Sequence, residues 1–164
     1  MSGHLRVIGL GQAAAGDDGV GLAVLEYLRV QGVPEGVELL EAEEPSALLP
    51  LLETPARVVL VDAVLAAPAG EVLELAPDEL AQRGFSTLSS HGLGVAQAVA
   101  LARLLSPEAV SPSIHVVGVS ISRPERFREG LSPEVAAAIP HAASRVLTSL
   151  SPPETGVPPC TSPR

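Results

Sequence analysis

A chain of 164 residues that is 46% hydrophobic and 2% aromatic has the length for one globular domain around an aliphatic core. Its ten basic residues are all arginine, and a formal charge of −9 argues against nucleic acid or an anionic membrane as partner while suiting a cation or a basic peptide. No apolar segment approaches the ~18 residues of a membrane span, Met1-Ser2-Gly3-His4 is not a signal sequence, and the single cysteine excludes an internal disulfide, so the expected location is cytoplasmic.

Residues 5–8 form an apolar run that reads as a buried first strand. Residues 20–30 repeat Val20, Val24, Tyr27 and Leu28 at helical spacing. Between them lies a strand-to-helix connection rich in glycine, Gly9-Leu10-Gly11-Gln12 through Gly16-Asp17-Asp18-Gly19-Val20-Gly21. Residues 37–41 suggest a second strand, followed by the acidic loop Glu41-Ala42-Glu43-Glu44-Pro45 and a short apolar helix at residues 46–52. The glutamates read as a solvated loop. Arg57-Val58-Val59-Leu60-Val61 is a β-branched run expected to be a buried parallel strand ending at Asp62.

Residues 71–75 alternate charged and apolar side chains, as an antiparallel edge strand does, and residues 77–84 suggest a short helical turn. The loop Ser86-Thr87-Leu88-Ser89-Ser90-His91-Gly92-Leu93-Gly94 leads into a helix over residues 95–105. Residues 114–119 give a fifth strand, with His115 read as structural. A loop with Arg123, Arg126 and Arg128 follows, either solvated or facing an acidic partner. The last helix opens on Ser132-Pro133-Glu134 and runs to about residue 150, with a kink expected at Pro140. Residues 151–164 hold five prolines and are expected to be a disordered tail, which makes Cys160 incidental. Residues 1–150 would then be a single domain. The alternation of strands and helices predicts a three-layer α/β/α sandwich with a mostly parallel five-stranded sheet.

Two readings compete for the first loop. Gly9, Gly11 and Ala14 fit a loose dinucleotide-binding pattern, but Asp17 and Asp18 would repel a pyrophosphate, and no clear acidic partner for a ribose follows. The alternative makes the carboxylates the working groups. One aspartate, Asp17, suffices to cap the helix, leaving Asp18 as the surplus. Asp62 reads either as a turn cap or as a second carboxylate on the same carboxyl rim of the sheet. His91 sits among small residues that leave an imidazole accessible. Asp18, Asp62 and His91 make a set suited to a divalent transition metal. The chain has no G-x-S-x-G nucleophile motif, so hydrolysis would run through metal-assisted water or a carboxylate mechanism.

These residues sit in motifs that resemble the hydrogenase maturation proteases. The matching pieces are Gly9-Leu10-Gly11, Gly16-Asp17-Asp18-Gly19-Val20-Gly21, Val61-Asp62-Ala63, Ser90-His91-Gly92-Leu93-Gly94, Val117-Gly118-Val119 and Gly130-Leu131-Ser132-Pro133-Glu134-Val135. The resemblance implies a phosphorylase/hydrolase-like fold. It also implies an endopeptidase, aspartic-type or metal-assisted, that trims the C-terminal extension of a nickel–iron hydrogenase large-subunit precursor after nickel insertion. It assigns Asp18, Asp62 and His91 as nickel ligands and catalytic residues, with the nickel borne by the substrate. Gln12 stands where the family usually has asparagine, and Ala42-Glu43-Glu44-Pro45-Ser46 where it tends to have a Gly-Gly-Thr or Gly-Gly-Ser loop. The segment after Val119 lacks the proline that many members carry. These departures bear on substrate choice more than on fold, and extra oxygen ligands would favour harder cations. A non-catalytic nickel-binding chaperone on the same fold is the alternative, and a dinucleotide-binding module the third reading.

Overall fold

The computed structural model describes residues 4–12, 16–82, 94–123 and 130–149. Five strands form one sheet in the order β2-β1-β3-β5-β4: β1 (Leu5–Leu10), β2 (Val37–Ala42), β3 (Arg57–Leu65), β4 (Val72–Leu75) and β5 (Ile114–Ile121). All neighbours pair in parallel except β4, which runs antiparallel to β5 at the edge. The central strands β1, β3 and β5 are apolar almost throughout because helices cover both their faces. Side chains alternate between two cores. Val59, Val61 and Ala63 meet α1 (Val20–Gln31) and α5 (Pro133–Thr148), while Val58, Leu60 and Val64 meet α2 (Leu48–Leu51), α3 (Pro77–Gln82) and α4 (Val95–Leu105). The result is the expected three-layer sandwich.

Three glycines set how closely the layers approach. A methyl group on Gly21 would run into the carbonyl oxygens of Leu10 and Val61, so α1 lies directly on β1 and β3. Gly118 makes room for Val64, and Gly70 (φ 90°) lies against the backbone of Glu134 at the start of α5. The latter contact ties the β3–β4 connection to the last helix.

Several local expectations need correction. β3 does not end at Asp62: Asp62 pairs with Gly118, and the ladder continues to Leu65 and Ile121. What does stop there is the other neighbour, since the β1–β3 ladder ends at Gly9 and Val61. Asp62 is therefore the first β3 residue beyond the reach of β1, on the carboxyl rim on that side only. The helix at residues 46–52 is a 3₁₀ turn (Pro45–Ala47) followed by one α-turn, with Pro50 removing a donor from the short element. α5 ends at Thr148 with Pro140 inside it, and buries Ala138, Ala142, Ala143 and Val146. His115 is exposed. Arg126, Arg128, Cys160 and the tail at residues 151–164 lie outside the described residues.

Candidate active site

The rim where β1 leaves β3 carries the first loop. Gly11 (φ 132°) turns the chain out of β1 while its N–H donates to the carbonyl of Ala42 at 3.1 Å, holding the exit against the end of β2. A single 3₁₀ turn (Gly16–Gly19) then precedes α1. The α-carbon of Gly11 abuts the carbonyl of Asp18 so closely that no Cβ fits between them. Here the left-handed conformation and the close approach both demand glycine.

Asp17 does not cap α1, contrary to the sequence expectation. The cap residue is Gly19, with no side-chain bond. Both oxygens of Asp17 instead take donors from Ser132, Oδ1 from its N–H at 2.6 Å and Oδ2 from its hydroxyl at 2.9 Å. Ser132, in turn, makes no side-chain cap on its own helix.

Asp18 is half-buried, and burial raises its carboxyl above the ordinary range. Asp62 is 8% exposed and is pushed up to about 8. Burial is the main cause, the negative charge of Asp18 adds to it, and the hydrogen bond from the Ala63 N–H to Oδ1 (2.8 Å) opposes it. The two carboxylates therefore feel one another, and among the described residues no arginine or histidine pairs with either. Near neutral pH Asp62 is largely the neutral acid. An unequal carboxylate pair of this kind can divide acid and base roles, or exchange a proton for a cation.

His91 lies outside the described residues, and among those described no third His, Cys, Asp or Glu completes a metal-binding group with the two aspartates. The chain is described again from Gly94, the cap of α4, whose first residue Val95 packs in the same core layer as Leu10 and Val64. The donor set of Asp18 and Asp62 suits a divalent cation: two carboxyl groups, one buried and one half-buried, with no protein cation beside them among the described residues.

A family model described as hydrogenase maturation protease matches residues 22–149. The chain belongs to the hydrogenase maturation protease family. A hydrogenase maturation protease is an endopeptidase, hence a hydrolase. Asp62 and His91 lie within the matched interval, and Asp18 just ahead of it. The fold agrees: the hydrogenase maturating endopeptidase HybD from Escherichia coli superposes with a TM-score of 0.72 at 26% identity, over 90% of this chain and 91% of that one. The solution structure of an endopeptidase from Escherichia coli gives 0.74 at 25%, over 90% and 91%. The NiFe hydrogenase maturation protease HybD from Thermococcus kodakarensis shares the fold at 0.71 and 22% identity, over 90% and 99%. No curated protein sequence matches the chain significantly. Among the described residues of this maturation protease, no helix is long and apolar enough to cross a membrane.

The sequence pointed to Asp18 and Asp62, and the structure brings their charges together. It gave no sign of the link between Asp17 and Ser132. Each residue has an obvious local role as a helix cap, and nothing in the spacing says that they meet across 115 positions.

Proposed function

We propose that this protein removes the C-terminal extension of a nickel–iron hydrogenase large-subunit precursor once nickel has been inserted. Asp18, Asp62 and His91 contact the nickel that the substrate carries. The observation behind this reading is the uncompensated carboxylate pair: a buried acid held above its ordinary range beside a second carboxylate favours an incoming cation in place of a proton. Docking of the metal would fix the scissile peptide bond against the rim and polarise its carbonyl. Water then attacks that carbonyl, and one of the two aspartates takes its proton and delivers it to the departing amine.

The test uses the precursor with nickel inserted and the variants Asp18→Ala and His91→Ala. Cleavage is expected to fall at least about 100-fold in each, the scale of losing one positioned catalytic or orienting group. If either variant cleaves as fast as the unaltered protein, that residue has no part in the site. A nickel-binding chaperone would instead hold the precursor in a stoichiometric complex and leave it uncut.

A further inference from the structure

We propose that Asp17 and Ser132 act together as a latch that positions Asp18. The proposal deepens the reading of Asp18 as a working carboxylate, and rests on it. Asp17 and Asp18 are adjacent in a 3₁₀ turn of four residues, so neither can shift without the other. Turns of this type have poorer hydrogen-bond geometry than an α-helix and little rigidity of their own. This turn is gripped from two sides. On one side the carbonyl of Asp18 rests on the bare α-carbon of Gly11. On the other, Ser132 gives both of its donors to Asp17, at 2.6 and 2.9 Å. Among the described residues the carboxylate of Asp18 has no hydrogen-bond partner, so its place is set by the turn that carries it.

Ser132 is itself anchored. Its carbonyl accepts the Ala136 N–H at 2.9 Å as α5 begins. The backbone of Glu134, two residues on, lies against Gly70, and the Gly70 N–H donates to the carbonyl of Ser120 at 2.8 Å. The buried hydroxyl of Ser120 donates to the carbonyl of Pro68 (2.7 Å) and accepts the Glu71 N–H (2.8 Å), fixing the β3–β4 connection to the end of β5. The latch thus refers Asp18 to the same frame, β3 and β5, that carries Asp62. Ser132 leaves its own helix without a side-chain cap to do so. Asp17 and Ser132 are positioning residues, and neither is required to touch substrate.

The test combines cleavage kinetics of nickel-loaded precursor with amide hydrogen exchange over residues 16–21. Asp17→Ala, which removes both bonds, is expected to lower kcat about 100-fold with KM nearly unchanged, the scale of misplacing a reacting group by about 1 Å. Ser132→Ala, which keeps the N–H bond, is expected to cost about 10-fold, Ser132→Thr to restore most of that, and the double variant to be no worse than Asp17→Ala. Exchange at residues 16–21 should quicken in Ser132→Ala while the rest of the chain keeps its protection. Unchanged kcat and unchanged exchange in Ser132→Ala, or a double variant whose losses multiply, would overturn the latch. If the unaltered protein does not cleave the precursor, the reading of the site fails. Faster exchange in Ser132→Ala would still uphold the latch in that case, and unchanged exchange would still overturn it.

Discussion

The two ends of the sheet bury polar groups in opposite ways. At the amino end, the buried Thr54 and Ser111 are uncharged and hydrogen-bonded. The hydroxyl of Ser111 donates to the Ala56 carbonyl at 2.6 Å, its N–H donates to the Leu52 carbonyl at 2.8 Å, and Thr54 accepts the Ala56 N–H at 3.1 Å. These bonds close loops. At the carboxyl end, the buried carboxyl of Asp62 is ionisable, receives one backbone N–H bond among the described residues and feels the charge of Asp18. A depression of about 910 Å³ opens at the amino end, lined by Glu53, Arg103, Glu108 and Pro112 among others, yet the site proposed above lies at the other end. A buried carboxyl with a strongly raised pKa is a better pointer to a candidate site than a cavity volume.

The largest effect should come from replacing that carboxyl. Asp62→Asn is expected to reduce precursor cleavage at least about 1,000-fold, the scale of losing a catalytic carboxylate in a preorganised site. The same change should stabilise the fold at pH 8. The sign follows from the shift: the carboxyl titrates near 8 when folded and near 4 when unfolded. The folded state therefore holds its proton longer, and stability present below pH 4 is lost as the pH rises toward 8. Denaturant unfolding at pH 5 and pH 8 should show Asp62→Asn gaining on the order of 2–4 kcal/mol between the two, as linkage requires. An equal difference at both pH values would mean that Asp62 ionises normally.

Gly21→Ala tests the frame that both ends share. Its methyl group would meet the carbonyl oxygens of Leu10 and Val61, backbone that cannot yield cheaply, so a loss of about 2–3 kcal/mol in unfolding free energy is expected. Ser111→Ala tests the amino end, and here about 1–2 kcal/mol should go while kcat stays unchanged. A fall in kcat would break the contrast between the two ends. The smallest effect belongs to the surface. Glu38→Ala removes the 2.7 Å ion pair with Arg6 and should cost less than about 1 kcal/mol, less still in high salt.

The sheet was legible because its central strands are continuous apolar runs, and α4 because its apolar period starts and stops cleanly at Val95 and Leu105. Charge misled the reading at Asp62. A carboxylate looks like the end of a buried strand, whereas the ladder to β5 runs through it and only the ladder to β1 stops. The short helix after β2 was overextended because Pro50 weighs more in a four-residue element than in a long one. Asp18 and Asp62 could be found from position alone, since both fall where a parallel strand or its following loop meets the carboxyl rim. The bonds from Ser132 to Asp17 could not, because a long-range hydrogen bond leaves no periodicity behind. His91 was singled out with the aspartates and lies outside the described residues.

The most direct measurement of the central claim is mass spectrometry of the cognate large-subunit precursor after incubation with the purified protein, with nickel inserted and without. One C-terminal peptide should be lost, and from the nickel-loaded precursor alone. An unchanged mass in a stable complex with the loaded precursor, or equal cleavage with and without nickel, would contradict it.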